Sequence, residues 1–109
     1  MKWSINYFNE KVEKEVLKLP KKLQARYFRM TDVMIELGPD LGMPHTRSMG
    51  DGLFELRLKA QEGIARVFYC TVVNKQIIML HSIVKKTQKT PPKELRIAQS
   101  RLKEVKEND

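Results

Sequence analysis

Apolar residues recur along this chain with two periods. Between Glu10 and Leu37 the period is helical. Val12, Val16 and Leu19 make one stripe, and Leu23, Tyr27, Met30, Met34 and Leu37 make a second at alternating intervals of four and three. Asn9 is a good N-cap for the first of these helices. Pro20 stops that helix and suits the first turn of the next, which Gly38 and Pro39 end. Two helices meeting at one proline read as a helical hairpin. The methionines and the tyrosine of the second stripe read as core filler.

Elsewhere the period is two or the run is solidly apolar. Trp3 to Phe8 is short and aromatic-rich and predicts a strand. Leu53 to Lys59 alternates, with Phe54, Leu56 and Leu58 on one face and Glu55, Arg57 and Lys59 on the other. Gln61 to Gly63 is a hairpin turn. In the strand Ile64 to Val73 the same rule sets Arg66, Phe68 and Cys70 against Ala65, Val67 and Tyr69. Asn74 and Lys75 make another turn. Gln76 to Val84 is nearly all apolar, which predicts a central strand. Gly38 to Gly52 holds four glycines and two prolines and reads as a loop long enough to cover something. Thr90 and two prolines predict the start of a last helix, with Leu95, Ala98, Leu102 and Val105 as its apolar stripe. The order is strand, helix, helix, three-stranded meander, helix. It predicts an α+β fold whose sheet carries helices on one face and leaves the other for a site.

Length and composition narrow this further. At 109 residues the chain suits one domain, 1–109, that buries roughly two thirds of its unfolded surface. The single cysteine excludes an internal disulfide, fits a reducing compartment, and lies in an apolar run where a buried thiol is expected. The first residues show no leader pattern, and the apolar run Ile77 to Leu80 is far too short to span a bilayer. A cytoplasmic protein is expected. The net charge is +8, and +6 of it lies between Lys85 and Lys106, where eight cations face two acids. Such a concentration suits a polyanion, an acidic protein or a membrane surface.

The strand pattern points to a place for the chemistry. Pairing across Gln61 to Gly63 brings Arg57 and Arg66 together on the face away from the helical hairpin. Lys85 and Lys86 close the neighbouring strand and extend a concave basic patch. Mid-strand arginines suit a face that is wet or meets an anion. The plainer alternative pairs Arg57 with Glu55 or Glu62 and leaves Arg66 solvated. No phosphate-loop, GxSxG, CxxC or HExxH motif is present, and His45 has no second ligand at metal spacing. No metal or cofactor is expected.

Together, "GLFELRLKAQEGIARVFYC" and "IIMLHSIVKKTQKTPPKELRIAQSR", with the stretch Pro44 to Gly50 before them, resemble the phage-derived HigB branch of the RelE/ParE toxin superfamily. The resemblance covers nearly the whole chain. It implies a RelE-like fold, a small twisted, mostly antiparallel sheet with two N-terminal helices on one face and a C-terminal helix. It implies the toxin of a type II toxin–antitoxin module, a metal-free ribonuclease that cuts messenger RNA on the ribosome and inhibits translation. A helix-turn-helix, HigA-like antitoxin is the implied partner, beside ribosome and message, and no membrane.

Carried over by position, Arg57, Arg66, Lys85 and Lys86 are the implied catalytic cations. Glu55, His81 and Lys89 are secondary candidates. Glu55 stands where a lysine is common in RelE but fits the "ELR" of this branch, and the tyrosine some relatives place near Lys85 is absent. Lys59, Lys93, Arg96, Arg101 and Lys103 are expected to bind RNA phosphates. In a metal-free cleavage the arginines suit the charge developing on the phosphate, and a lysine crowded by cations suits proton transfer. His81 has the right titration range, but its apolar strand equally suits a satisfied core histidine. The rival reading is a non-catalytic basic binding module, or a ParE-like toxin that acts on a protein through the last helix.

Overall fold

In the computed structural model, which describes residues 2–85 and 89–108, the chain runs β1 (Ser4–Tyr7), α1 (Glu10–Leu17), α2 (Lys21–Leu37), β2 (Thr46–Gly50), β3 (Leu53–Ala60), β4 (Gly63–Val72), β5 (Gln76–Lys85) and α3 (Pro92–Glu107). The strands form one sheet in the order β1-β5-β4-β3-β2. β1 runs parallel to β5, and the other pairs are antiparallel. The fold is thus the expected α+β one, with two N-terminal helices on one face and a C-terminal helix.

Helix ends follow local chemistry. Asn9 caps α1 by accepting from the Val12 amide at 2.9 Å. Pro20 has no side chain to do the same for α2. The carboxylate of Glu62, on the β3–β4 turn, accepts instead from the Lys22 and Leu23 amides, each at 3.2 Å. A negative charge at a helix N-terminus also suits the helix dipole. Glu62 is therefore committed to α2. α3 begins at Pro92 with Pro91 before it, so Thr90 is not its cap.

Two expectations are corrected. The segment Gly38 to Gly52 is not loop throughout, because Thr46–Gly50 adds a fifth strand along β3. Its glycines masked a short alternating run. Nor do the helices share one face. Val12 and Val16 of α1 and Leu23, Tyr27 and Met34 of α2 pack on Leu56, Leu58, Ala65, Val67, Tyr69, Ile77 and Met79. Ala98 and Leu102 of α3 pack in a separate cluster with Leu53, Phe68, Cys70 and Leu80. The second face is covered at one end by α3 and left to polar residues at the other.

A bulge decides what that uncovered end contains. Phe68 pairs with His81, but its neighbour Tyr69 pairs with Met79, so Leu80 has no register partner. An extra residue reverses the faces beyond it. Ile77 and Met79 point to the α1–α2 core, whereas His81, Ile83 and Lys85 follow Phe68, Arg66 and Ile64 onto the α3 face. Lys85 thereby shares a face with Glu55 and Arg66.

Candidate functional site

Four strands contribute charged side chains to the open end of the α3 face. Arg47 of β2 lies opposite Glu55, and Arg57 of β3 lies opposite Arg66 of β4. Lys85 ends β5 opposite Ile64. Gly63 makes that close approach possible. It has φ +139°, and a side chain there would lie 3.2 Å from the Lys85 carbonyl oxygen.

The centre of the group is a buried ion pair. An Arg66 guanidinium nitrogen donates to Glu55 Oε1 at 2.8 Å, and the two side chains are only 5% and 2% exposed. Arg47 approaches the same oxygen at 4.0 Å from a half-exposed position. The other Glu55 oxygen is buried and has no hydrogen-bond partner among the described residues. Lys85 Nζ is likewise buried without a hydrogen-bond partner among them. Burial, and then the nearby Arg66 guanidinium, push the Lys85 amine below its ordinary range, while Glu55 opposes the shift. The four cations Arg47, Arg57, Arg66 and Lys85 thus have one carboxylate, Glu55, among them.

A cavity of about 200 Å³ opens onto this group, lined by Met43, Pro44, Thr46, Arg47, Glu55, Arg57 and Arg66. Its loop wall is held in place by specific bonds. The Tyr69 hydroxyl donates to the Pro39 carbonyl. Thr46 Oγ1 accepts from the Gly42 amide at 2.8 Å, and the Arg57 amide donates to the His45 carbonyl at 2.8 Å. The segment read as a cover does form a wall. The chemistry available is that of a cationic recess that accepts an anion with two or more oxygens. No group of acidic, His and Cys side chains among the described residues could hold a metal ion.

The other expected residues are scattered. His81 is buried against α3, stacked near Phe68. Its Nε2 lies 3.2 Å from Glu94 Oε2, and its Nδ1 lies 3.4 Å from an Arg101 guanidinium nitrogen. Neither it nor Lys85 lines the cavity. Arg101 donates to the Leu80 carbonyl at 2.7 Å and lies over the Phe8 ring. Its guanidinium is thus engaged within the fold. Lys59, Lys89, Lys93, Arg96 and Lys103 are exposed. Lys86 lies outside the described residues. Sequence reasoning missed Arg47, whose signal was the alternation of "TRSMG" hidden between glycines.

The family described as phage derived protein Gp49-like (DUF891) matches residues 14–103. The chain belongs to the Gp49-like family. That span takes in every residue of the cavity. Among solved structures, the Gp49-like chain is similar to one from the archaeal RelE–RelB complex of Pyrococcus horikoshii OT3. The likeness has a TM-score of 0.55 at 20% identity and covers 77% of this chain and 96% of that one. At that identity it shows a shared fold. No curated protein sequence matches the chain. Among the described residues, no helix is long and apolar enough to cross a membrane.

Proposed function

We propose that this Gp49-like protein is the toxin of a toxin–antitoxin module, of the HigB branch, and a metal-free endoribonuclease that cuts messenger RNA on the ribosome. The observation that carries the reading is the arginine pair: Arg57 and Arg66 face each other across β3 and β4 at a recess with only one acid. A neutral amide or sugar gains little from such a recess, whereas a phosphodiester gains from each guanidinium.

In the proposed reaction the ribose 2′-oxygen attacks the adjacent phosphorus, and the bond to the 5′-oxygen breaks. A cyclic phosphate and a free 5′-hydroxyl result. Arg57 and Arg66 stabilise the charge that develops on the phosphoryl oxygens and on the leaving oxygen, which then takes a proton from water. Lys85 takes the proton of the 2′-hydroxyl. Its lowered proton affinity suits that task, because a larger fraction of the amine is neutral near pH 7. Glu55 holds Arg66 in position and balances the cluster. Lys86 remains a candidate for the same proton.

So few reacting groups suit a substrate positioned by the ribosome. The protein would work as a single domain in the cytoplasm, with a helix-turn-helix antitoxin as its partner. The exposed cations Lys93, Arg96 and Lys103 of α3 would meet ribosomal RNA. The binding-module alternative needs the α3 face to dominate, and the inward turn of Arg101 weakens that face.

The test is primer extension on a reporter message, with and without translation. Cutting is expected only in the translated sample and is expected to be lost in Arg57→Ala. Equal cutting of naked RNA would remove the ribosome from the reading. Full activity in Arg57→Ala would remove the arginine pair.

A further inference from the structure

A second cavity, of about 260 Å³, adjoins the first and shares Pro44 and Arg57 with it. Its remaining lining is Arg26 and Met30 of α2, His45 of the loop, and Leu58 and Lys59 of β3. The proposed reaction has no use for Arg26, Met30 or His45. The lining has three cations, one imidazole and three apolar side chains, and unlike the first cavity it has no acid.

The sheet adds a second feature here. β2 pairs with β3 only as far as Thr46 opposite Leu56. The Arg57 amide still reaches the His45 carbonyl, and beyond it no strand flanks β3 on that side among the described residues. Backbone groups alternate in direction along a strand. Those of Lys59 therefore point the same way as the Arg57 amide, toward the side that β2 has left. One N–H and one C=O of the same residue then stand side by side at the cavity, above apolar walls.

We infer that this second cavity is a subsite for the nucleotide next to the cut, with Met30 and Pro44 against the face of its base, the Lys59 main chain at the base edge, and Arg26 and His45 at its phosphate. The inference rests on the nuclease reading and deepens it. A neighbouring donor and acceptor match a base edge, which carries donors and acceptors side by side. Single-stranded RNA presents its bases in this unstacked form. An extended acidic peptide would also pair with a strand edge, but the main chain of one residue, Lys59, beside a cavity of about 260 Å³ suits a single base better than a strand. Because Arg57 belongs to both cavities, a nucleotide held in the second places the adjoining phosphodiester in the first.

Arg26 and His45 are both exposed, so their removal leaves the core intact. The test compares wild type with Arg26→Ala/His45→Ala on a translated reporter, mapping every cut over a range of toxin concentrations, with melting curves as the fold control. Loss of a charge-assisted phosphate contact is expected to lower cutting about tenfold at limiting toxin. Cutting should recover at saturating toxin, with the base preference beside the cut kept, because the Lys59 main chain still meets the base edge. Unchanged concentration dependence would overturn the subsite alone. So would a variant that cuts normally but is no longer neutralised by its antitoxin, since the cavity would then serve a protein. A wild type that cuts no message would sink the nuclease reading first, and the subsite with it.

Discussion

Replacing Arg66 by alanine is the obvious way to test the arginine pair, and the structure says why it misleads. Arg66 and Glu55 are 2.8 Å apart and almost wholly buried. At that distance and an effective dielectric constant of about 20, their attraction is roughly 6 kcal/mol. Taking both charges out of water offsets most of it, so the intact pair adds little net stability. Removing one partner is different, because the other stays buried without compensation, at a cost of about 3–5 kcal/mol. Arg47 gives little relief, since it is half-exposed and 4.0 Å away, where exposed pairs contribute up to about 1 kcal/mol. A domain of this size has about 5–15 kcal/mol in total. Arg66→Ala is therefore expected to lose a large part of its stability, so its loss of toxicity alone says nothing about catalysis. The double variant Glu55→Leu/Arg66→Met keeps the volume and removes both charges. It is expected to lie within about 1 kcal/mol of wild type, or above it, and still to be inactive. Urea unfolding of the two single variants and the double variant measures the coupling directly. An Arg66→Ala cost below about 1 kcal/mol, or a double variant as unstable as the sum of the singles, would refute the buried pair. A folded double variant that cuts message would refute Arg66 as a reacting group.

Other expected outcomes are read more simply. Arg57 is only partly buried, so Arg57→Ala should cost at most about 1.5 kcal/mol of stability while losing message cleavage. Lys85 has its proton affinity lowered in the fold, so its charge destabilises the native state wherever it is protonated. That penalty should fade as pH rises through the folded value toward the ordinary 10.5. Lys85→Met should therefore melt higher than wild type at pH 7, with the gap closing at alkaline pH, and should not cut message. Arg101→Met should lower stability by about 1.5–3 kcal/mol through the lost Leu80 contact. Wild-type ribosome binding should weaken steeply with added salt, and Arg96→Glu/Lys103→Glu should leave melting unchanged while lowering that affinity and flattening its salt dependence.

Most of the fold was legible because two periods carry it. The helical stripes and the alternation in β3 and β4 each predict which side chains share a face, and the two apolar clusters follow those faces. The opposition of Arg57 and Arg66 came from counting outward from a short turn, the most local of all register signals. Three features stayed hidden. β2 is five residues long and sits among glycines, too short for its alternation to outweigh them. The fate of Glu55 was open because strand period puts it beside Arg57 but cannot show that Arg66, diagonally across, reaches it first. The inward turn of Arg101 was hidden because a helical charge pattern does not distinguish a solvated cation from one that reaches a carbonyl on another element.

The bulge at Leu80 ties the last helix to the candidate site in a way that charge counting misses. Were β5 to alternate without the bulge, Lys85 would stay in phase with Ile77 and Met79 and point at the α1–α2 core, where an ammonium has no place. With it, the strand changes faces and Lys85 arrives beside Arg66. The cost is a residue outside the ladder, and a backbone carbonyl left there unbonded would destabilise the strand. Arg101 donates to that carbonyl, and the same guanidinium reaches His81, the first residue past the bulge. His81 in turn meets Glu94, so α3 is bonded to the displaced segment at two points seven residues apart. A basic helix that looks from sequence like a surface for polyanions is, on its inner side, the clamp that keeps β5 out of phase. Its apolar stripe sets its place over the sheet, and its inward polar residues hold Lys85 on the face where a phosphate would be met.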